Sequence, residues 1–234
     1  MIRKAAIVSI AGTSLSRNEI LTLKKGKPWG IILFKRNILS ANQLLNLTKK
    51  IRETMQDKKF PILIDEEGGR VSRLSKFLDN SLYNQKLFGD IYVSNKLVGS
   101  RLYKTYINSI SKILLETGIN INTSPVLDLT NKQTHSVIGN RSYSKNPNTV
   151  NELGRLCVSF YKANKIATVI KHIPGHGRAN LDSHFKLPNV KSNLRSIKKT
   201  DFKCFKNLSS FFAMTAHVLY SKIDKNNNAT HSEI

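Results

Sequence analysis

The chain alternates between short apolar runs and longer segments whose apolar residues recur at helical spacing. The apolar runs are rich in β-branched side chains and end at polar residues; they cover 7–11, 30–34, 61–64, 119–129, 167–170 and 211–215. Apolar residues three and four positions apart mark the segments 41–56, 95–118 and 150–164. Continuous apolar strands separated by amphipathic helices are typical of a parallel sheet covered by helices. The pattern therefore predicts an α/β fold with about six βα units.

Polar side chains stand at the C-terminal end of nearly every predicted strand. Asp65 follows 61–64, Asp128 ends 119–129, and Lys171 follows 167–170. A (β/α)8 barrel of the TIM type builds its active site at this end of its strands. A doubly wound open sheet is the alternative, but it normally has a phosphate-binding glycine loop after its first strand, which 12–14 does not match. We therefore predict a TIM-type barrel, with about six of its eight βα units in the single domain 1–234.

The N-terminus resembles a signal peptide, because Arg3 and Lys4 precede an apolar run. That run is very short, and 13–19 is typical of a turn followed by a helix N-cap, so we predict a buried first strand. No apolar run reaches the roughly 18 residues that a membrane span needs, so no membrane partner is expected. Cys157 and Cys204 lie in apolar surroundings without metal-ligand spacing, which predicts reduced structural thiols and a cytoplasmic location.

The formal net charge of +23 raises the possibility of a basic nucleic-acid-binding protein. The lysines and arginines, however, are scattered over the whole length. Their short clusters, such as 24–25 and 198–199, are typical of solvated helix faces and turns. We therefore expect no nucleic-acid partner, and nucleic-acid binding stays an alternative.

The densest group of titratable residues lies between 171 and 184. The segment 171–177 reads Lys-His-Ile-Pro-Gly-His-Gly, and Asp-Ser-His follows at 182–184. His172 and His176 have the spacing of a helical zinc site, but the proline and glycine between them disfavour a helix. A metal site remains an alternative; it would be built from His172, His176, Asp182, His184 and His217. Asp182 and His184 suggest an acid/base dyad, since a nearby carboxylate orients an imidazole and raises its pKa.

Two further blocks carry charged side chains. The segment 65–73 reads Asp-Glu-Glu-Gly-Gly-Arg-Val-Ser-Arg after the third predicted strand. Its carboxylates can accept hydrogen bonds from sugar hydroxyls and its arginines can clamp a carboxylate or hydroxyl pair, although a solvated turn would show the same residues. Arg141 lies in a loop after the fourth strand, where a surface arginine is the simpler interpretation.

Taken together, these blocks resemble the family-3 glycoside hydrolases, and most closely the bacterial cytoplasmic β-N-acetylhexosaminidases of cell-wall recycling. The blocks follow the family order and span nearly the whole chain, and the block 171–184 is highly specific. The resemblance implies a barrel enzyme that releases terminal N-acetylglucosamine from peptidoglycan-derived muropeptides. The reaction would retain configuration through a glycosyl-enzyme intermediate, without a metal or organic cofactor.

The resemblance also implies roles for individual residues. The sugar would be held by five side chains: Asp65, Arg73, Arg141, Lys171 and His172. His184 would be the general acid/base on a mobile loop, oriented by Asp182, so that a histidine replaces the carboxylic acid of most glycosidases. Glu66 is a departure, because the family more often has glutamine there.

The family nucleophile is an aspartate after the strand that follows, so the resemblance puts it beyond Ile234. The segment 228–232 resembles the family's Pro-Ala-Thr-Leu-Ser in the preceding connection. We therefore expect a C-terminally truncated barrel in which 1–234 alone has no appreciable hexosaminidase activity. A non-catalytic sugar-binding remnant is the alternative that shares every residue named so far.

Overall fold

The computed structural model describes residues 2–131, 134, 136–179, 181 and 187–233. Within them, parallel strands form one sheet in the order β1-β2-β3-β4-β5-β6. The strands are Lys4–Val8 (β1), Pro28–Leu33 (β2), Ile62–Ile64 (β3), Ile121–Asn122 (β4), Ala167–Ile173 (β5) and Phe212–Thr215 (β6). A doubly wound sheet would reverse its strand order near the middle. The sequential order excludes that alternative and confirms the α/β, TIM-type prediction.

Helices connect the strands and cover the sheet. They are Arg17–Gly26 (α1), Ala41–Met55 (α2), Gln85–Ser94 (α3), Lys96–Glu116 (α4), Pro147–Ala163 (α5) and Leu194–Lys199 (α6). The predicted N-cap of α1 is confirmed as a capping box: Ser16 Oγ accepts from the Glu19 N–H at 3.2 Å, and the Glu19 carboxylate accepts from the Ser16 N–H at 2.8 Å. None of these helices is long and apolar enough to cross a membrane.

Several elements differ from the sequence-based expectation, among them β4 and α3. The fourth strand is much shorter than 119–129, because Pro125 has no N–H to donate to a ladder. Beyond it, Val126 makes only an isolated bridge to Lys171, with the Leu127 N–H donating to the Lys171 carbonyl at 2.7 Å. Helix α3 was not predicted. Its N-cap signal is Asn84, whose side chain accepts from the Leu87 N–H.

The main core lies between the sheet and the helices, where α2, α4 and α5 bury their apolar faces. A second cluster of Leu63, Ile121 and Val169 lies on the other face of the sheet. Trp29 of β2 and Phe212 of β6 pack against this cluster, with ring centroids 5.3 Å apart. Side chains from strands so far apart in the sheet order can meet only if the sheet is curled, as in part of a barrel.

Both edges of this half-barrel are open, because β1 and β6 do not pair with each other in the described residues. Ile7 on β1 is 48% exposed, and Met214 on β6 is 37% exposed. The first strand was expected to be buried; its side chains are instead largely exposed, since it lies at an edge. Cys157 and Cys204 are buried free thiols as expected, and burial raises the pKa of Cys157 to about 11.

Close packing of α3 gives a test of this fold. A Cβ at Gly89 would lie 1.9 Å from the Tyr143 carbonyl oxygen, a backbone atom that cannot rotate away. We expect Gly89→Ala to lower the free energy of unfolding by about 1–3 kcal/mol. The matched control is Gly26→Ala, where no atom lies within 4 Å and the change should stay below about 1 kcal/mol. Urea denaturation followed by circular dichroism measures both, and equal stability of the two variants would contradict the described packing.

Candidate active site

The charged side chains singled out in the sequence meet at the C-terminal end of the sheet. Asp65 directly follows β3, Lys171 and His172 lie near the end of β5, and Arg141 ends the short 3-10 turn Gly139–Arg141 after β4. Arg73 reaches the same place from the loop after β3, where its Nη2 donates to Asp65 Oδ2 at 2.7 Å. The carboxyl ends of parallel strands share one edge, so residues far apart in sequence become neighbours.

Lys171 is the centre of the cluster, with 2% of its side chain exposed. Its ammonium contacts Asp65 Oδ1, Glu67 Oε1 at 2.5 Å and Thr123 Oγ1 at 3.3 Å. Burial alone would raise the pKa of Asp65. The charge and hydrogen bond of Lys171, with help from Thr123 and Arg73, instead hold that pKa well below its usual range. Asp65 is therefore ionised and fixed on both sides by cations.

Glu67 is a part of the site that the sequence analysis did not single out. Its carboxylate forms a two-point ion pair with Arg141: Nε donates to Oε2 at 2.7 Å and Nη2 donates to Oε1 at 2.8 Å. Burial opposes ionisation, but Lys171 and Arg141 lower the pKa of Glu67 overall. The available signal was its position two residues after Asp65, which favours the same side of an extended chain.

His172 is oriented by a buried carboxylate. Its Nδ1 lies 2.6 Å from Asp128 Oδ2, and Asp128 Oδ1 accepts from the His176 N–H at 2.6 Å. Burial would raise the pKa of Asp128, but the two histidines lower it overall. Burial also lowers the pKa of the His176 ring, which packs edge-on against His172. With Nδ1 bound to Asp128, Nε2 is the His172 nitrogen left for a ligand.

Glu66 faces a different set of partners from Asp65 and Glu67. Its Oε2 accepts from Ser72 Oγ at 3.1 Å and from the backbone N–H groups of Arg73 at 2.7 Å and Leu74 at 3.1 Å. Asn80 Nδ2 donates to Oε1 at 2.8 Å. Burial raises the pKa of this carboxyl despite the four donors. Glu66 thus organises the loop that carries Arg73 to the site.

Two arginines tie the loops after β3 and β4 together. Arg70 Nη2 donates to the Ser136 carbonyl at 2.5 Å and also to the Val137 carbonyl. Arg141 Nη1 donates to that same Val137 carbonyl at 3.0 Å. A cavity of about 150 Å³ opens beside this junction; it is lined by Val137, Ile138, Arg141, His172, His176 and 214–217.

The predicted acid/base pair, His184 and Asp182, lies outside the described residues. His217 Nδ1 lies 3.0 Å from Thr230 Oγ1, and it lines the same cavity as His172 and His176. Among the side chains that the structure describes, no three metal-ligating groups come together. The expected absence of a metal stays a prediction.

Proteins of known family and structure are similar to this chain. A family model described as the glycosyl hydrolase family 3 N terminal domain matches residues 5–234. The solved structure of NagZ from Neisseria gonorrhoeae in complex with N-trifluoroacetyl-D-glucosamine has a TM-score of 0.89 and 30% identity, and the match covers 99% of this chain and 68% of that one. A family-3 β-N-acetylglucosaminidase from Paenibacillus sp. str. FPU-7 has a TM-score of 0.84 and 27% identity, with 95% and 42% covered.

The curated relatives of similar sequence are also hexosaminidases. A beta-hexosaminidase of Nitrosospira multiformis is 32% identical over 221 residues, which is 93% of this chain and 62% of the relative. Beta-hexosaminidase A of Pseudoalteromonas piscicida is 33% identical over 204 residues, which is 83% of this chain and 33% of the relative. The chain thus spans less than two thirds of the length of either protein.

The buried carboxylates predict acid sensitivity. Asp65, Glu67 and Asp128 have folded pKa values below their unfolded ones, so each contributes stability above about pH 4 that is lost as pH falls further. Glu66 opposes them, because its raised pKa gives a contribution that is lost as pH rises. We expect the urea midpoint to fall between about pH 5 and pH 2.

Asp128→Asn should make this pH dependence shallower, because it removes one of the three carboxylates. The control is Asp90→Asn, which breaks only an exposed ion pair with Lys86 and should leave the slope unchanged. Urea midpoints measured at several pH values test this, and equal slopes for Asp128→Asn and the unchanged protein would contradict the assignment.

Proposed function

The chain belongs to glycosyl hydrolase family 3. From this membership we propose that it supplies the sugar-binding residues of a retaining β-N-acetylhexosaminidase. The observation that carries the proposal is the buried cluster of Asp65, Glu67, Arg141 and Lys171, extended by Arg73 at the strand ends. Support also comes from the beta-hexosaminidase relatives and from the NagZ neighbour that holds an N-acetylglucosamine analogue.

The charges of this cluster suit an uncharged, polyhydroxylated ligand. Each of its cations already faces a carboxylate: Arg73 faces Asp65, Arg141 faces Glu67, and Lys171 faces both. A site for phosphate or nucleic acid needs uncompensated positive charge, which is what attracts a polyanion. Fixed carboxylates and guanidinium groups can instead accept from and donate to adjacent hydroxyls of one sugar. We therefore favour a sugar over the nucleic-acid alternative.

The roles follow from the contacts. Asp65 accepts hydrogen bonds from sugar hydroxyls while Lys171 and Arg73 keep it ionised and in place. Arg141 has N–H groups beyond those bound to Glu67 and Val137, and His172 has its Nε2; both line the cavity and contact the sugar there. The Lys171 ammonium contacts the sugar beside Asp65.

In the proposed reaction His184 protonates the departing glycosidic oxygen and Asp182 orients its ring. An aspartate nucleophile attacks the anomeric carbon and forms a glycosyl-enzyme intermediate. His184 then takes a proton from the water that releases the sugar, so that configuration is retained. We propose terminal N-acetylglucosamine of peptidoglycan-derived muropeptides as the substrate and the cytoplasm as the location, in line with the buried free thiols.

Sugar binding tests the first part of the proposal. We expect N-acetylglucosamine to bind the chain and Asp65→Asn to weaken that binding about tenfold or more, because a hydrogen bond to a charged group is lost. Asp90→Asn is the matched control and should bind like the unchanged protein, since Asp90 is an exposed residue of α3. Isothermal titration calorimetry measures the affinities. A protein that binds duplex DNA with a steep salt dependence and ignores the sugar would instead favour the nucleic-acid alternative.

Leaving-group dependence tests the acid/base role. In a chain extended by two further βα units, His184→Ala should lower kcat/KM by about 10²–10⁴-fold for an N-acetylglucosaminyl disaccharide. The loss should be much smaller for the 2,4-dinitrophenyl glycoside, whose leaving group needs no proton. His231→Ala, in an exposed turn next to Asn228, is the control and should leave both rates unchanged. Equal losses on the two substrates would contradict the role of His184. Sugar binding without turnover would favour the non-catalytic remnant.

A further inference from the structure

We infer that Glu67 is a positioning residue, whose single carboxylate holds the cationic ends of Lys171 and Arg141 in a fixed arrangement for the sugar. Its Oε1 accepts from both cations, at 2.5 Å from Lys171 Nζ and 2.8 Å from Arg141 Nη2. Its Oε2 accepts from Arg141 Nε at 2.7 Å. One oxygen atom therefore joins a side chain from β5 to a side chain from the turn after β4. The inference rests on the proposed function, because it concerns how the sugar-binding groups are held.

Electrostatics makes this bridge necessary. Two cations that share one oxygen repel each other strongly where water is excluded, and a carboxylate between them offsets the repulsion. Glu67 has 1% of its side chain exposed, and the same two cations lower its pKa, so it carries its charge in the folded protein. In the described residues Asp65 contacts Lys171, Arg73 and Thr123, and no ion pair joins it to Arg141. Glu67 is thus the carboxylate that links the two halves of the site.

The backbone of Glu67 is fixed independently of these ion pairs. Its N–H donates to the Val71 carbonyl at 3.0 Å, and Gly68 and Gly69 close the turn with φ values of 81° and 59°. A Cβ at Gly68 would lie 2.1 Å from the Tyr83 carbonyl oxygen, so the turn is packed directly against the neighbouring loop. With 1% of its side chain exposed, the carboxylate also has little room to follow Lys171 or Arg141 if either moves. They must adjust to Glu67.

Stability alone does not account for this arrangement. Burying two cations and a carboxylate is often no better for folding than packing apolar side chains of the same volume. The arrangement is explained if the free N–H groups of Arg141 and the orientation of Asp65 matter for binding. Without Glu67, Lys171 would turn fully toward Asp65 and compete with the sugar hydroxyls for its oxygen atoms. Arg141 would keep only the Val137 carbonyl as a described partner.

The variant Glu67→Asp distinguishes a role of Glu67 in positioning the cations from a role in balancing their charge. It keeps the negative charge but shortens the side chain by one methylene, so the carboxylate cannot reach both cations from the same backbone. We expect at least about tenfold weaker N-acetylglucosamine binding for Glu67→Asp and for Glu67→Gln, measured by calorimetry. The charge-matched control is Glu152→Gln, which loses an ion pair with exposed Lys96 and should bind like the unchanged protein. Wild-type affinity in Glu67→Asp would overturn the positioning role.

Two further measurements keep the inference testable in every case. The Nε–H NMR signal of Arg141, assigned with Arg141→Lys, should exchange slowly with water in the unchanged protein and in Glu152→Gln, and should be lost in Glu67→Gln. Its persistence in Glu67→Gln would overturn the inference even if no sugar binds, whereas absence of sugar binding by the unchanged protein contradicts only the proposed function.

A double-mutant cycle is the second measurement. The affinity losses of Glu67→Gln and Arg141→Lys should not add, because Glu67 acts on the sugar through Arg141; additive losses would count against the inference. Circular dichroism identifies any variant that fails to fold, and Glu67→Asp, which retains the charge, then supplies the binding result.

Discussion

The structure depends on the requirement that the side-chain cations at the strand ends contact carboxylates. Lys171 has almost no exposure, and burial of its ammonium is unfavourable unless carboxylates such as Asp65 and Glu67 contact it. Each of those carboxylates in turn needs a second cation, which Arg73 and Arg141 supply from the loops after β3 and β4. The loops are therefore fixed by electrostatic pairing as much as by apolar packing. A network of this kind accepts few substitutions, because removal of one member leaves another buried and unpaired.

The three consecutive acids after β3 show how environment decides the role of a carboxyl group. Asp65 and Glu67 contact side-chain cations and have lowered pKa values, while Glu66 contacts mainly neutral donors and has a raised one. Asp65 and Glu67 therefore belong to the network of ion pairs, and Glu66 supports the loop that carries Arg73. Both oxygen atoms of the Glu66 carboxylate accept hydrogen bonds, so a glutamate fits this position, where the resemblance implies that glutamine is more frequent.

The sequence was sufficient to predict the class of fold and the strand ends at which the charged side chains meet. The apolar runs that end at Asp65, Asp128 and Lys171 predicted parallel strands with a shared polar end, and the structure brings those residues together. The sequence could not predict that Glu67 bridges two cations, because that contact joins residues more than seventy positions apart through tertiary packing. It also overestimated β4, since the apolar character of 119–129 reports burial rather than strand pairing. His184 and Asp182 keep the roles that the resemblance implies, as predictions.

The carbonyl of Val137, shared by Arg70 and Arg141, has a thermodynamic consequence. The guanidinium of Arg141 is held on one side by Glu67 and on the other by the Val137 carbonyl oxygen, which also accepts from Arg70. Its rotamer is therefore selected before any ligand arrives. Arginine is among the side chains with the most conformational entropy to lose on binding, and here that loss has already occurred during folding. The free energy of each new hydrogen bond then contributes to affinity without being offset by the entropy cost of ordering this side chain.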